Sequence, residues 1–194
     1  MKHTLVALLE DKPGVLNRVV NMFSRRAFNI ESLTVGHTEQ PHISRMTVVV
    51  DGTNTDVEQV VKQLYKLIDV LKVSDVTQDK TVFRDLALIK VSTNRDSRAE
   101  IVQLAQIVGA RVVDVAQDSV ILQMTDEEEA IDAFVALIRP FGIKEMVRTG
   151  RVAMVRGAQG VTRAPSFEEL AHPTQRPRYE ARKKVPVDLT GEAG

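Results

Sequence analysis

Apolar and polar positions along the first part of the chain alternate between the period of a strand and that of a helix. The β-branched and apolar residues from Thr4 to Leu9 predict a strand that is apolar on both faces. The apolar positions that follow recur at the spacing of one helical face, namely Val15, Leu16, Val19, Val20 and Phe23. They predict a first helix, whose first turn accommodates Pro13.

Two strands, a second helix and a fourth strand complete the first unit. Residues 29–36 and 44–52 predict a hairpin, and Thr55 with Glu58 forms a capping box before the next helix. One face of that helix is apolar, through Val57, Val60, Val61, Leu64, Leu67 and Ile68. Residues 69–76 then predict a strand. The order βαββαβ indicates a ferredoxin-like unit, with two helices covering one face of a four-stranded antiparallel sheet.

The same order of elements returns in the second part of the chain. The predicted strands cover residues 86–93, 110–116, 119–125 and 142–150, and the predicted helices cover residues 99–108 and 130–138. Capping boxes are expected at Ser97 with Glu100 and at Thr125 with Glu128, and Gly109 is placed to end the first of these helices.

The fold class predicted for the chain is therefore α+β, with two tandem ferredoxin-like βαββαβ domains and a C-terminal tail. We place the first domain at residues 2–78 and the second, which we expect to contact a partner subunit, at residues 82–157. Residues 158–194 are rich in proline and charge and lack a long apolar face, so we expect a flexible tail there.

Composition excludes several classes of function. The chain of 194 residues has 26 Lys and Arg and 26 Asp and Glu, so no overall charge attracts nucleic acid or an anionic membrane. Cysteine is absent, which excludes disulfides and thiolate chemistry. The first apolar stretch is too short to span a bilayer and is followed by Glu10 and Asp11, so we expect a cytoplasmic protein without a signal peptide.

The sequence offers no constellation typical of catalysis or metal binding. The four histidines are scattered without the spacing of a metal site, and neither a nucleophile elbow nor a phosphate-binding loop occurs. We therefore predict no catalytic and no metal-binding residues.

The turn from Asp11 to Gly14 is the candidate binding site. A helix that begins after Gly14 exposes backbone N–H groups, which favour a carboxylate, and Gly14 lets a ligand come close to the backbone. Asp11 could accept the ammonium group of the same ligand, which makes the turn complementary to an α-amino acid. The alternative is that Asp11 only caps its own helix. Asn29 is a further polar candidate at the start of the second strand.

The residues of this turn also carry a family resemblance. The stretch "LLEDKPGVLNRVVNMFSRRAFNIESLTVGHTE", with "SRMTVVV" and "LALIKV" behind it, resembles the regulatory small subunit of acetohydroxyacid synthase, also called acetolactate synthase. The resemblance covers about residues 2–157. It implies an N-terminal ACT domain, a second ACT-like domain and a homodimer formed through the ACT sheets. It also implies a large catalytic subunit that carries thiamine diphosphate, magnesium and FAD, while this chain carries no cofactor and is not itself an enzyme.

The resemblance further implies an effector and its site. In this family a branched-chain amino acid, most often valine, binds between the ACT domains of two chains and inhibits the enzyme by feedback. Carried onto this sequence, the contacts fall on the side chain or backbone of Asp11, Gly14, Val15, Leu16 and Asn29, with an apolar lining from Ile30 and Val35.

Two positions depart from the usual family pattern. Asp11 stands where many members have Asn, so a second carboxylate lies near that of the ligand. Ala27 stands where Gly is usual at the end of the first helix. If the backbone keeps a positive φ there, Ala costs on the order of 1 kcal/mol more than Gly.

Two other functions share this predicted fold. An RNA-binding module has the same βαββαβ order, but its sheet presents aromatic residues, and aromatics are 4% of this chain. A stand-alone amino-acid sensor, or a subunit of another enzyme, is the other alternative, because fold alone does not define function.

Overall fold

The computed structural model of the protein describes residues 1–52 and 56–157. The elements of the first unit are β1 (Lys2–Glu10), α1 (Val15–Arg25), β2 (Ile30–His37), β3 (Ile43–Asp51), α2 (Val57–Leu64) and β4 (Val70–Asp75). The strands form an antiparallel sheet in the order β2-β3-β1-β4, which leaves β2 as an outer strand. The predicted ferredoxin-like arrangement is confirmed.

The second unit repeats this arrangement with one addition. Its elements are β5 (Thr81–Ser92), α3 (Ser97–Ile107), β6 (Arg111–Val115), β7 (Ser119–Asp126), α4 (Glu128–Ile138), a 3₁₀ turn (Arg139–Phe141), β8 (Ile143–Arg148) and β9 (Val152–Val155). The sheet order is β6-β7-β5-β8, and β9 pairs with residues 81–84 at the start of β5. The expected strand at 86–93 therefore begins five residues earlier, and β9 was not predicted.

Both faces of the first sheet are buried, as the apolar character of β1 predicts. Helices α1 and α2 cover one face, where a core forms around Leu5, Ala7, Val19, Phe23, Met46, Val48 and Leu64. The opposite face carries Val6, which packs with Val76, Ala153, Phe83 and Val155 from the segments that link and end the second unit. This face, which an RNA-binding module would use to stack bases, is therefore covered by protein.

The predicted capping boxes are corrected by the structure. Asp56 caps α2, because its carboxylate accepts hydrogen bonds from the N–H groups of Glu58 and Gln59, while Thr55 lies outside the described residues. At α3 the side chain of Asn94 accepts from the N–H groups of Asp96 and Ser97, at 2.9 and 2.8 Å. An Asx turn three residues before the helix thus replaces the expected box.

The remaining predicted box, at Thr125, is also wrong. Helix α4 begins after Glu127 without a side-chain cap, and Glu127 donates its N–H to the carboxylate of Asp126. Another correction concerns Ile68, which was placed on the buried face of α2. Because that helix ends at Leu64, Ile68 lies beyond it and is 71% exposed.

Ala27 adopts the left-handed conformation that its family position suggested, with φ of 54°. Its N–H donates to the carbonyl of Ser24, and the N–H of Phe28 donates to that of Phe23, which is the Schellman pattern. The rings of Phe23 and Phe28 meet edge to face at 6.2 Å between centroids. This apolar contact across the helix end stabilises a backbone conformation that alanine disfavours. Gly109 ends α3 in the same way, as predicted, with φ of 76°.

Candidate functional site

The turn between β1 and α1 has the open geometry that a ligand site requires. Gly14 is the N-cap of α1 with φ of 84°, and no side chain caps this helix. Asp11 donates its backbone N–H to the carbonyl of His42 at 2.8 Å, and its carboxylate lies 3.4 Å from Nδ1 of His37. The structure therefore does not show Asp11 as the cap of its own helix, which was the alternative to a ligand-binding role.

Two backbone donors at the start of α1 are left without a partner in the part of the chain that the structure describes. The N–H of Val15 donates to the carbonyl of Lys12 at 3.3 Å, and that of Arg18 to Gly14 at 3.0 Å. Within the described residues, no acceptor is found for the N–H groups of Leu16 and Asn17. These groups lie at the positive end of the helix dipole, where a carboxylate is stabilised.

The side chains of the first turn of α1 divide between core and surface. Val15 is buried in the core, so it offers a ligand only its backbone. Leu16 is 42% exposed and is free to cover an apolar ligand. Val35, near the end of β2, is 40% exposed and pairs with Met46 of the core face.

The predicted site residues fall at two opposite ends of β2. Strands β1 and β2 are both antiparallel to β3, so they run in the same direction. Ile30, which follows the exposed Asn29, pairs with Val50 at one end, and His37 pairs with Ser44 at the other, beside Asp11. Seven residues of strand at about 3.3 Å each separate these ends by about 20 Å. One copy of the chain therefore does not bring Asn29 to Gly14.

Charged side chains surround the turn in pairs that sequence analysis missed. Lys12 pairs with Glu10, and the guanidinium of Arg18 lies 2.7 Å from the carboxylate of Asp69, whose side chain is 9% exposed. Arg18 follows Gly14 by four residues, which places both on one flank of α1. That spacing was visible in the sequence, whereas Asp69 is brought to the turn by the sheet.

Hydrogen bonds join the second unit to β2 on the face opposite to α1. The N–H of Arg151 donates to Oγ of Ser32 at 2.9 Å, and Oγ1 of Thr34 donates to the carbonyl of Thr149 at 3.2 Å. Gly150, with φ of 85°, lies between them. We call residues 149–151 the interdomain clamp.

A polar cavity of about 440 Å³ lies beside the interdomain clamp. Its walls come from both units and include Lys2, Glu31, Ser32, Asp85, Glu128, Arg148 and Arg151. Ion pairs cross it, since Lys2 lies 3.1 Å and Arg151 2.9 Å from the carboxylate of Glu128. Burial raises the pKa of Asp85 above 3.8, although the nearby guanidinium groups of Arg148 and Arg151 oppose this shift.

Neither a metal site nor a membrane span is found among residues 1–52 and 56–157. No group of three or more histidine or acidic side chains there could hold a metal ion. No helix in the same residues has the length and apolar character needed to cross a bilayer.

Comparisons with known proteins agree with the fold. Residues 5–72 match the family model of the ACT domain of small subunits of acetohydroxyacid synthase, and residues 84–157 match that of the small subunit of acetolactate synthase. The "Probable acetolactate synthase small subunit" of Archaeoglobus fulgidus is 55% identical over 157 residues, which cover 81% of this chain and 98% of that protein. The acetolactate synthase small subunit of Bacillus subtilis is 48% identical over 161 residues, covering 82% and 93%.

A solved structure extends the likeness to three dimensions. The crystal structure of the acetolactate synthase small subunit of Thermotoga maritima matches with a TM-score of 0.75 and 38% identity, covering 81% of this chain and 99% of that one. The tandem units thus define a regulatory protein of the ACT class. The chain belongs to the family of acetolactate synthase small subunits. Membership places it in branched-chain amino acid biosynthesis and implies a catalytic large subunit as its partner.

Proposed function

We propose that this chain activates the large subunit of acetolactate synthase in the cytoplasm and makes it sensitive to feedback inhibition by a branched-chain amino acid, with valine as the first candidate. The chain itself is non-catalytic in this proposal, and thiamine diphosphate, magnesium and FAD are carried by the large subunit. The observation that supports an effector site best is the uncapped start of α1, where the N–H groups of Leu16 and Asn17, next to Gly14, have no acceptor among the described residues.

The effector site is formed by two copies of the chain. Because β2 is an outer strand, it can pair with β2 of a second copy across a two-fold axis, and such pairing is antiparallel. Antiparallel pairing brings the start of one β2 beside the end of the other. Asn29 and Ile30 of one copy then approach Asp11, Gly14 and Val35 of its partner. This arrangement accounts for two half-sites that lie about 20 Å apart in one chain.

The chemistry of each half-site suits a small apolar amino acid. The free N–H groups bind the carboxylate, Asp11 accepts the ammonium group, and the exposed Leu16 and Val35 cover the side chain. Burial of an isopropyl group contributes about 1.5–3 kcal/mol, and a carboxylate at a helix start up to about 2 kcal/mol. With the ammonium contact, an affinity between about 1 mM and 1 μM is reasonable, which suits the sensing of a metabolite.

The negative charge of Asp11 is placed to favour the ammonium end of the ligand. Nδ1 of His37, at the end of β2, lies 3.4 Å from this carboxylate. Pairing of Asp11 with the ammonium group offsets the repulsion between Asp11 and the carboxylate of the ligand, which was the concern raised by an acid at this position.

Acetolactate formation by the large subunit tests the function directly. The rate is measured without this chain, with it, and with it in the presence of valine, leucine or isoleucine. We expect activation by the chain and inhibition by at least one of the three amino acids. A chain that binds valine but leaves the rate unchanged would instead be a stand-alone sensor, and a chain that does neither would contradict the proposal.

A mixed dimer tests whether two copies share each site. Gly14→Asp damages one half-site and Asn29→Ala the other, so neither homodimer should bind valine. A mixed dimer, purified through two different tags, retains one site with both native halves. Calorimetry should therefore find half of the wild-type stoichiometry. If each site were built within one chain, the mixed dimer would bind no valine at all.

A further inference from the structure

We infer that the guanidinium of Arg18 is a direct ligand of the effector's carboxylate, and that the buried carboxylate of Asp69 holds it in position. This inference rests on the proposed function and assigns a residue that recognises the ligand. It names the part of the amino acid that Arg18 binds, and it therefore predicts which ligands Arg18 discriminates.

Asp69 fixes one edge of the guanidinium. Nη2 of Arg18 lies 2.7 Å from Oδ2 of Asp69, a charge contact whose angles fall outside those of a hydrogen bond. The side chain of Asp69 is 9% exposed, and its carbonyl accepts the N–H of Glu10 at 2.9 Å. The acid is thus anchored to the end of β1, immediately before the turn. A buried carboxylate without its counter-charge is costly, so it retains Arg18 beside it.

The other edge of the guanidinium faces the space above Gly14. A Cβ built on Gly14 would lie 3.9 Å from Nη1 of Arg18 and would meet nothing else within 4 Å. No acceptor is found for Nη1 among the described residues, and the side chain is half exposed. The open space is therefore bounded by a guanidinium edge with free donors.

The donors of Arg18 and of the helix start favour the same kind of ligand group, a carboxylate. Among the described residues, the N–H groups of Leu16 and Asn17 have no acceptor, and Nη1 of Arg18 lies 3.9 Å from a Cβ built on Gly14, the residue that precedes this first turn. An arginine held by an ion pair is pre-organised for a carboxylate, to which it donates hydrogen bonds in a fixed plane. Lys12, the other nearby cation, is engaged by Glu10. Arg18 is therefore the side chain best placed to recognise the acid group.

The same geometry explains how an acidic residue at position 14 would interfere with binding of the effector's carboxylate. In Gly14→Asp, the new carboxylate would grow from a Cβ 3.9 Å from Nη1 of Arg18 and could bind the donors meant for the ligand. Gly14→Ala separates this effect from backbone strain, because both variants carry a side chain at a φ of 84° but only one carries charge.

Calorimetry with two ligands tests the role of Arg18 in the full-length chain. Valine and valinamide share the ammonium and isopropyl groups, but valinamide lacks the carboxylate. Arg18→Gln should weaken valine binding by roughly tenfold to hundredfold, the value of a charge-assisted hydrogen bond, and leave valinamide binding nearly unchanged. Arg25→Gln is the matched control, since Arg25 is an exposed arginine in the last turn of the same helix. It should change neither affinity.

Two further variants protect the test against misfolding. Arg18→Lys keeps a positive charge beside Asp69 but lacks the second set of N–H donors that the guanidinium offers at Nη1. Asp69→Asn keeps the shape of the side chain that positions Arg18 but removes its negative charge. Each should weaken valine binding severalfold with valinamide unaffected. If wild-type chain binds no valine, the proposed function fails. If it binds valine and the Arg18 variants still prefer valine to valinamide to the wild-type extent, the role of Arg18 alone is refuted.

Discussion

Substitution of Gly150 by alanine should loosen the contact between the two units. The new Cβ would lie 2.5 Å from Oγ of Ser32, a distance that real Cβ atoms essentially never show, and 3.2 Å from Oγ1 of Thr34, which is a tight contact. Relief of the clash, by rotation of these hydroxyl groups or by movement of the interdomain clamp, breaks the hydrogen bond of Ser32 to Arg151 and weakens or breaks that of Thr34 to Thr149. Each such bond contributes about 0.5–1.5 kcal/mol to stability.

Gly109 provides a matched control for the cost of placing alanine at a positive φ. Its φ is 76°, close to the 85° of Gly150, but its Cβ would meet nothing within 4 Å. Gly109→Ala should cost only the left-handed conformation of an alanine, about 1–2 kcal/mol. Gly150→Ala should cost this amount and one or both hydrogen bonds, hence about 1.5–5 kcal/mol in total.

Urea unfolding followed by circular dichroism measures both free energies, and amide exchange across β2 locates the change. We expect faster exchange in β2 for Gly150→Ala and not for Gly109→Ala. A double mutant cycle sharpens the test, because Ser32→Ala removes the atom 2.5 Å away. In that background Gly150→Ala should cost about as much as Gly109→Ala. Equal costs for the two glycines in the wild-type background would refute the clash.

Three other predictions concern single residues. Because burial raises the pKa of Asp85 above 3.8, the folded state holds its proton more tightly, and stability from this group falls as pH rises through the raised pKa. Asp85→Asn should remove that decline, measured as the free energy of unfolding in urea while the pH rises above about 4, the ordinary pKa of an aspartate. Asp56→Ala should lower the melting temperature through loss of about 1 kcal/mol, whereas Asp56→Asn, which caps equally well, should not. Tyr65→Phe should cost about 0.5–1.5 kcal/mol in urea unfolding, since the hydroxyl bonds both the N–H and the carbonyl of Val73.

The order of elements was predictable because apolar periodicity reflects which face of each element is buried. The exact helix starts were not, because each start has several neighbouring residues whose side chains can accept from the backbone. The structure uses Asp56 and Asn94, whereas the sequence pattern favoured Thr55 and Ser97. The chain offers several capping residues in a row at each start. Only the backbone path decides which one reaches the helix.

The early start of β5 and the existence of β9 depend on pairing between residues about seventy positions apart. The short stretch Val152–Val155 carries too few residues to show a period of its own. This stretch packs against Val6 of the first sheet, and packing between residues so far apart in sequence leaves no local pattern of apolar residues. For this reason the interface between the units was invisible in the sequence.

The pattern of residues predicted the candidate site residue by residue, but only the family resemblance indicated that two chains share it. The open turn at Gly14 follows from local chemistry, since glycine at a helix start exposes the backbone. The separation of Asn29 from Gly14 follows from strand direction, which sequence spacing does not reveal. Arg18 was missed because its meaning depends on Asp69, which is distant in sequence.

Strand β2 contacts the helix layer with one face and the interdomain clamp with the other. Val35 and Ile30 project on the helix side, while Ser32 and Thr34 hold the interdomain clamp on the reverse side. Movement of β2 is therefore coupled to the interdomain clamp. If β2 shifts or tilts, residues 149–151 must move with it or lose their hydrogen bonds to it. A ligand that binds on the helix side of β2 and shifts this strand would therefore also shift or strain residues 149–151 of the second unit.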